Sequence, residues 1–166
     1  CSSINRSGGR TSASHAVASI QNVTRDYTGL IPELGVIGLP MERNLKHGRL
    51  YEELIEEVVL YVVRVLKRGS DLKPLLEQLE DPLPYVGMKP NDLVLEDQSN
   101  AFKVKQWDRA YEKWDKQQEQ CKENIMKLYG ILFGQCTAAM QSEIKSQIEY
   151  EEKSAKSDAL WLLITI

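Results

Sequence analysis

The sequence predicts an all-α fold, an irregular bundle of about five helices preceded by a disordered N-terminal tail. Apolar residues recur at three- and four-residue steps through most of the chain after residue 47. Helix-capping and helix-ending residues separate these periodic segments. No segment is rich in strand patterns and no internal repeat is present, so one helical domain with its own core is expected over residues 29–166.

The composition is that of an ordinary globular protein, with 42% hydrophobic and 27% charged residues among 166. A net charge of −3 argues against a strong overall attraction to nucleic acid or to anionic membranes. Residues 1–49 carry six basic against three acidic side chains, whereas residues 50–166 carry fifteen against twenty-one. The helical region is therefore acidic, and no membrane partner is expected.

Residues 1–28 are rich in Ser, Thr, Asn, Arg and Gly and form the predicted disordered tail, because they lack sustained apolar periodicity. Residues 29–47 hold several Gly and Pro residues, which predict an irregular segment. The chain begins with Cys1 and stops within the apolar run 160–166, where a cap or a polar exit is usual. We therefore expect a fragment of a longer protein, truncated at its C-terminus.

The first firm helix is predicted over residues 48–68, ending at Gly69 after basic residues that favour a helix C-terminus. Leu60 and two nearby valines widen its apolar face, which predicts burial on more than one side. A strand over 58–66 is the alternative, because β-branched residues are frequent there, but the Glu-rich start favours a helix. The apolar face consists of Tyr51, Leu54, Ile55, Val58, Tyr61, Val62, Val65 and Leu66.

A short second helix is predicted over residues 71–80, with Ser70 as its cap and Pro74 tolerated in its first turn. Its apolar stripe consists of Leu72, Leu75, Leu76 and Leu79. Residues 81–97 contain three prolines and a glycine, and this composition predicts a loop between the second helix and the next one.

A long helix is predicted over residues 99–133, with one apolar stripe and an otherwise charged surface. Trp107, Tyr111 and Trp114 begin this stripe. Their helical spacing favours core packing over a platform that stacks on single-stranded RNA. The stripe continues through Cys121, Ile125, Leu128 and Leu132.

The most informative stretch is the corner formed by Gly134, Gln135, Cys136 and Thr137. Gly134 is predicted to end the long helix with a positive φ angle, and Thr137 to cap the next helix, over residues 138–148. The predicted inward residues of that next helix are Met140, Ile144 and Ile148. A last helix is predicted over 151–166, with Ala155, Leu160, Trp161 and Ile164 facing inward.

No catalytic, cofactor-binding or metal site is predicted, and no small-molecule substrate is expected. The paired glutamates at 52–53 and 56–57 favour a solvated helix face, because no histidine lies on a facing helix. Cys136 has no predicted base, so packing at the corner is favoured over a nucleophilic role. Cys121 and Cys136 would lie roughly 20 Å apart on one helix, too far for a disulfide. Reduced thiols indicate a cytoplasmic or nuclear location.

The segment from Glu123 to Met140, together with Tyr150 and residues 157–164, resembles the Gag-like capsid region of copia-class LTR retrotransposons. In that group an Asn, here Asn124, precedes a helix that ends in a Gly-Gln-Cys-Ser/Thr corner. An aromatic residue and an Asp-x-x-x-Leu-Leu segment follow. The resemblance covers roughly residues 35–166 and is specific around 123–164.

The resemblance implies a structural protein without catalysis that assembles into shells packaging the element's RNA. It therefore implies a homo-oligomer. The candidate interface is Trp161, Leu162 and Ile164, because no later residues in this chain cover that apolar end. The zinc knuckle typical of the family lies downstream of this domain, so the resemblance assigns any RNA contact to that missing region.

Two other interpretations stay open. A host helical adaptor or scaffold domain would bind a protein partner without catalysis and would remain a monomer. An RNA-binding protein would need a basic face, which the acidic charge balance of residues 50–166 does not predict.

Overall fold

The computed structural model describes residues 29–38 and 45–166. Seven α-helices and two short 3-10 helices occur in this part of the chain, with no β-strand among its elements, so the predicted all-α class is confirmed. The α-helices are α1 (Leu45–Val65), α2 (Lys73–Gln78), α3 (Leu95–Gln98), α4 (Ala101–Gln135), α5 (Ala138–Lys145), α6 (Tyr150–Ala155) and α7 (Ala159–Thr165). The 3-10 helices are Gly69–Leu72 and Leu83–Tyr85. The predicted disordered tail, residues 1–28, lies outside the described residues.

The long helix α4 organises the fold, since α3, α7 and both 3-10 helices pack along it. α1 packs against the first 3-10 helix and against α2. The core is one cluster that draws on α1, α2, the C-terminal half of α4, α5 and α7. Its completely buried aliphatic residues include Val58, Val62, Leu72, Leu128, Leu132, Ile144 and Leu162.

Helix α1 begins and ends earlier than the sequence predicts, and the strand alternative over 58–66 is wrong. The left-handed residue after the helix is Arg68, with φ of 59°, rather than Gly69. Gly69 is instead buried against the backbone of Val62, where an added Cβ would collide with the carbonyl oxygen. This glycine is required for close packing, and the basic residues 67–68 lie beyond the end of the helix.

The second helical segment differs from the prediction at both of its ends. Ser70 does not cap it, because residues 69–72 form a 3-10 helix and α2 follows Leu72 without a side-chain cap. Leu79, predicted to face inward, is exposed, and its left-handed φ of 55° ends α2. The predicted loop over 81–97 contains the second 3-10 helix and the start of α3.

Helix α4 starts at a well-formed cap and runs two residues past its predicted end. Asn100 accepts hydrogen bonds from two N–H groups of the first turn, at 3.1 and 3.3 Å. This side chain pairs donors that the first turn of a helix leaves without partners. The next helix, α5, ends at Lys145, so Ile148 lies outside it and is fully exposed instead of facing inward.

The predicted last helix is two helices, α6 and α7. Ser157 adopts a left-handed φ of 51°, and Asp158 caps α7 by accepting a hydrogen bond from the Trp161 N–H at 2.9 Å. The break resets the helical phase, which sequence periodicity alone does not reveal. The inward residues of α7 are therefore Ala159, Leu162 and Leu163, whereas Ala155 and Ile164 are exposed.

Candidate interaction surfaces

The corner between α4 and α5 holds a completely buried polar side chain, that of Gln135. Its Oε1 accepts a hydrogen bond from the Ile31 N–H at 2.6 Å. Its Nε2 donates to the carbonyls of Ile31, Leu34 and Gly35 at 3.0, 3.2 and 3.1 Å. A buried amide is tolerated when its donors and acceptor are paired in this way. Gln135 therefore ties the irregular segment 29–38 to the end of α4.

Backbone pairing at the same corner strengthens this attachment. The Ile37 N–H donates to the Gln135 carbonyl at 2.9 Å, and the Thr137 N–H donates to the Ile37 carbonyl at 2.8 Å. Together these bonds form a single parallel bridge between Ile37 and Cys136. Thr137 also caps α5, as predicted, because its Oγ1 accepts from the Met140 N–H at 3.2 Å.

Gly134 lies inside the last turn of α4 and has no positive φ angle, so the prediction that it ends the helix is wrong. The helix ends because Cys136 is extended, with φ of −70° and ψ of 136°. The Leu30 N–H donates to the Gly134 carbonyl at 3.0 Å. A Cβ added at Gly134 would lie 2.7 Å from the Leu30 Cβ. The glycine is thus needed where segment 29–38 approaches α4.

Neither buried cysteine has the properties of a nucleophile. Burial raises the pKa of the Cys121 thiol to about 11 and that of the Cys136 thiol to about 12. The reactive form of cysteine is the thiolate, so both groups are protonated and unreactive near neutral pH. The Cys136 Sγ donates to the Leu132 carbonyl at 3.3 Å, and neither cysteine forms a disulfide.

Trp107, Tyr111 and Trp114 form a row on α4, with successive ring centres 5.2 and 5.4 Å apart. They are not core residues, because both tryptophans are half-buried and Tyr111 is exposed. A loop, rather than a packed helix, lies against the row. The Trp107 Nε1 donates to the Asn91 carbonyl at 2.8 Å, and the Lys89 ammonium lies 5.6 Å from the Trp114 ring centre. The row therefore serves to hold this loop on α4.

The predicted interface residues on α7 do not share one surface. Leu162 is completely buried in the core of its own chain, which corrects the prediction that it forms a contact with another molecule. Trp161 is half-buried. Ile164 is 66% exposed and is the most exposed of the three.

An exposed apolar ridge lies instead on α1. Leu60 and Val63, which we call the α1 ridge, are 72% and 43% exposed, so the prediction that α1 is buried on more than one side is wrong. Two shallow clefts border Leu60. One, of about 290 Å³, is lined by Ile55, Glu56, Val59, Leu60 and Glu77. The other, of about 320 Å³, is lined by Glu33, Leu34, Glu57, Leu60, Tyr61 and Arg64.

A basic cleft of about 480 Å³ lies between the end of α1 and the middle of α4. It is lined by Lys67, Arg68, Arg109, Glu112, Lys113, Lys116, Gln117 and Gln120. The expectation that the acidic helical region has no basic face is therefore wrong. A charge count along the sequence does not reveal the cleft, because it includes many carboxylates that lie elsewhere. Just one carboxylate, that of Glu112, lines the cleft itself. The spacing of Arg109, Lys113 and Lys116 at helical steps was the available signal.

Within residues 29–38 and 45–166, no three His, Cys, Asp or Glu side chains come together in a way that could hold a metal ion. None of the described helices is both long enough and apolar enough to cross a membrane. No family model matches this chain, and no curated protein or solved structure is significantly similar to it.

Proposed function

We propose that this domain is a Gag-like capsid subunit of an LTR retrotransposon, which self-associates through its helical faces and builds an RNA-packaging particle without catalysis. The α1 ridge carries this proposal, because Leu60 and Val63 leave an apolar surface that a second copy can cover. The sequence resemblance over residues 123–164 supports the same function. The unreactive Cys136 thiol at the corner is consistent with a structural role.

The shape of the α1 surface suits a symmetric contact. A two-fold interface uses the same patch on both copies, so the patch must be complementary to itself. Leu60 projects between two shallow clefts, and one of them is lined by Ile55 and Val59. The Leu60 side chain of each copy can therefore enter the cleft of the other. Burying one leucine side chain contributes about 1.5–3 kcal/mol.

Charge along α1 supports the same arrangement. If two α1 helices cross in antiparallel orientation at Leu60, residues four positions before and after it face each other. These residues are Glu56 and Arg64, which carry opposite charges. In the single chain Arg64 pairs with Glu33, and both side chains are about two-thirds exposed. An exposed ion pair of this kind contributes at most about 1 kcal/mol, so Arg64 can exchange partners at little cost.

Residues beyond the ridge must also take part. A specific interface buries on the order of 1,000 Å² or more in total, which exceeds what Leu60 and Val63 supply. The lining residues of the two flanking clefts are the nearest additional surface. A particle also needs a second kind of contact to join dimers, and Ile164 on α7 is an exposed candidate for it.

Light scattering over a range of protein concentrations tests this function. We expect the wild-type protein to form dimers and larger species as its concentration rises. Leu60→Asp should remain a monomer at concentrations where the wild-type protein is dimeric. The substitution places one carboxylate from each copy at the two-fold axis of the dimer. Ile164→Asp should still dimerise, since its side chain is outside the α1 contact. A wild-type protein that stays monomeric throughout would contradict the proposal and favour an adaptor domain.

A further inference from the structure

We propose that the basic cleft binds the phosphate backbone of a nucleic-acid strand. The walls of the cleft come from two places in the chain, the residues just after α1 and about three turns of α4. Their basic side chains meet only in the folded protein. This site is separate from the α1 ridge and shares no lining residue with it.

The charges in the cleft are only partly neutralised by the protein itself. Lys116 pairs with Glu112 at 2.7 Å, and Arg68 pairs with Asp71 at 2.7 Å. The remaining basic side chains of the cleft, those of Lys67, Arg109 and Lys113, have no ion pair with any described residue. Like charges gathered in one concave surface repel each other and attract anions. A bound phosphate group would supply the missing counter-charge.

The other lining groups suit a phosphodiester backbone better than bases. No aromatic residue lines the cleft, so nothing in it can stack on a base. The Trp107 row lies on a different face of α4 and holds the loop that contains Lys89 and Asn91. Gln117 brings an amide donor to the cleft, and amides commonly bind phosphate or sugar oxygens, whereas the Gln120 Nε2 already donates to the Asn124 Oδ1 at 3.3 Å. The binding should therefore be independent of sequence.

The dimensions agree with a short stretch of one strand. Arg109 and Lys116 lie seven residues apart on α4, which places them about 10 Å apart along the helix. At the roughly 3.4 Å axial rise of one strand in B-form DNA, this distance corresponds to about three phosphates, and an extended single strand places fewer there. Arg109 also has a planar guanidinium that can hold two oxygens of one phosphate. The cleft is thus matched to a few nucleotides of backbone.

The choice of RNA as the nucleic acid rests on the proposed function, whereas the phosphate-binding cleft rests on its own side chains. The two are separable by experiment. A protein that assembles but does not bind RNA at the cleft would overturn this inference alone. A monomer that binds RNA through the cleft would overturn the proposed assembly alone.

Fluorescence anisotropy with a labelled oligouridylate, measured over a series of KCl concentrations, tests the cleft. The three basic side chains that have no ion pair can contact three phosphates. At about 0.7 per phosphate for single strands, they predict a slope of log K against log salt concentration near −2. Arg109→Gln combined with Lys113→Gln should weaken binding about tenfold or more and reduce the magnitude of the slope by about 1.4. Both side chains are exposed, so the variant should keep the wild-type melting temperature.

The matched control is Lys122→Gln combined with Lys127→Gln, which removes the same charge from exposed positions of α4 outside the cleft. Its affinity should stay within about twofold of the wild type. An equal loss in the control would show that net charge alone attracts the RNA and would overturn the site. No binding by the wild-type protein at low salt would also overturn it, as would a loss of binding caused by Trp114→Ala in a variant that is still folded at the assay temperature.

Discussion

The side-chain amide of Gln135 and the backbone of Ile31 form a reciprocal pair of hydrogen bonds, with the Ile31 N–H donating at 2.6 Å and its carbonyl accepting at 3.0 Å. The amide thereby imitates a neighbouring peptide group in a β-ladder. The two residues are 104 positions apart in the chain. This contact fixes the irregular segment 29–38 on the helix corner that the sequence singled out.

Two other amides on α4 act in a similar way. The Gln118 Nε2 donates to the Leu83 and Val86 carbonyls at 2.9 and 2.7 Å. The Asn124 Nδ2 donates to the Lys67 carbonyl at 2.8 Å and so pairs an acceptor just beyond the end of α1. Buried carbonyls in irregular segments need such partners. α4 therefore positions each neighbouring loop through a polar side chain as well as through its apolar stripe.

The first prediction concerns this attachment. Gln135→Leu keeps most of the side-chain volume but removes the partners of the Ile31, Leu34 and Gly35 backbone groups. We expect the free energy of unfolding, measured with urea, to fall by about 3 kcal/mol. Gln147→Leu at an exposed position should change it by less than about 0.5 kcal/mol. Equal effects of the two substitutions would contradict the role assigned to Gln135.

The second prediction compares two glycines of α4. Gly130→Ala should raise the free energy of unfolding by about 0.5–1 kcal/mol, because alanine is the better helix former and nothing lies within 4 Å of the added Cβ. Gly134→Ala should lower it by about 1 kcal/mol or more, because its Cβ would press on Leu30. Urea denaturation gives both values. A stabilising Gly134→Ala would show that segment 29–38 does not approach α4 closely.

The helical class and much of the core follow from local pattern. Cys121, Leu128 and Leu132 are buried at the positions that their spacing predicts. Ser157 is different, because no local signal indicates that a serine takes a left-handed conformation there and divides one predicted helix in two. Leu162 was expected at an interface because no later residues cover the apolar end, but the helix after this break buries it in the core of its own chain. Periodicity within a segment is reliable only while the helix is continuous.

The third prediction separates the aromatic row from the core. Trp114 is half-buried against a loop, so Trp114→Ala should lower the free energy of unfolding by about 1–2 kcal/mol. Leu128→Ala, at a completely buried position of the same helix, should lower it by about 3 kcal/mol. Thermal and urea unfolding measure both. A Trp114→Ala cost equal to or above that of Leu128→Ala would restore the interpretation of Trp114 as a core residue.

The fourth prediction concerns the reactivity of the buried thiols. It uses a Cys1→Ser variant, in which Cys121 and Cys136 are the remaining cysteines. Neither should react with iodoacetamide at pH 8 unless urea is added, because burial raises their pKa values to about 11 and 12. Both pKa values lie above 9, the ordinary pKa of a thiol. As the pH rises, the two thiols therefore lose their protons in the unfolded state before they do so in the folded state. The free energy of unfolding should therefore fall as the pH rises from about 9 toward 12. Rapid alkylation of the folded protein at pH 8 would contradict these assignments.

The candidate surfaces were harder to predict than the fold because they depend on how distant segments align. Lys67 and Arg68 join Arg109 and Lys113 in one cleft because α1 ends beside the middle of α4. A charge count over residues 50–166 averages these cations with carboxylates on other faces. The hydrophobicity of Leu60 predicts a buried position, but the sequence does not show that no other element packs on this side of α1.

The most direct test of the proposed assembly is disulfide trapping at the two-fold contact. Helices that pack 8–10 Å apart bring facing Cα atoms within the roughly 7 Å that a disulfide spans. In the Cys1→Ser background, Leu60→Cys should therefore give a covalent dimer under mild oxidation, seen on a non-reducing gel. Glu123→Cys, at an exposed position of α4, is the control and should stay monomeric. Cross-linking at residue 60 that is no greater than at residue 123 would contradict the α1 contact.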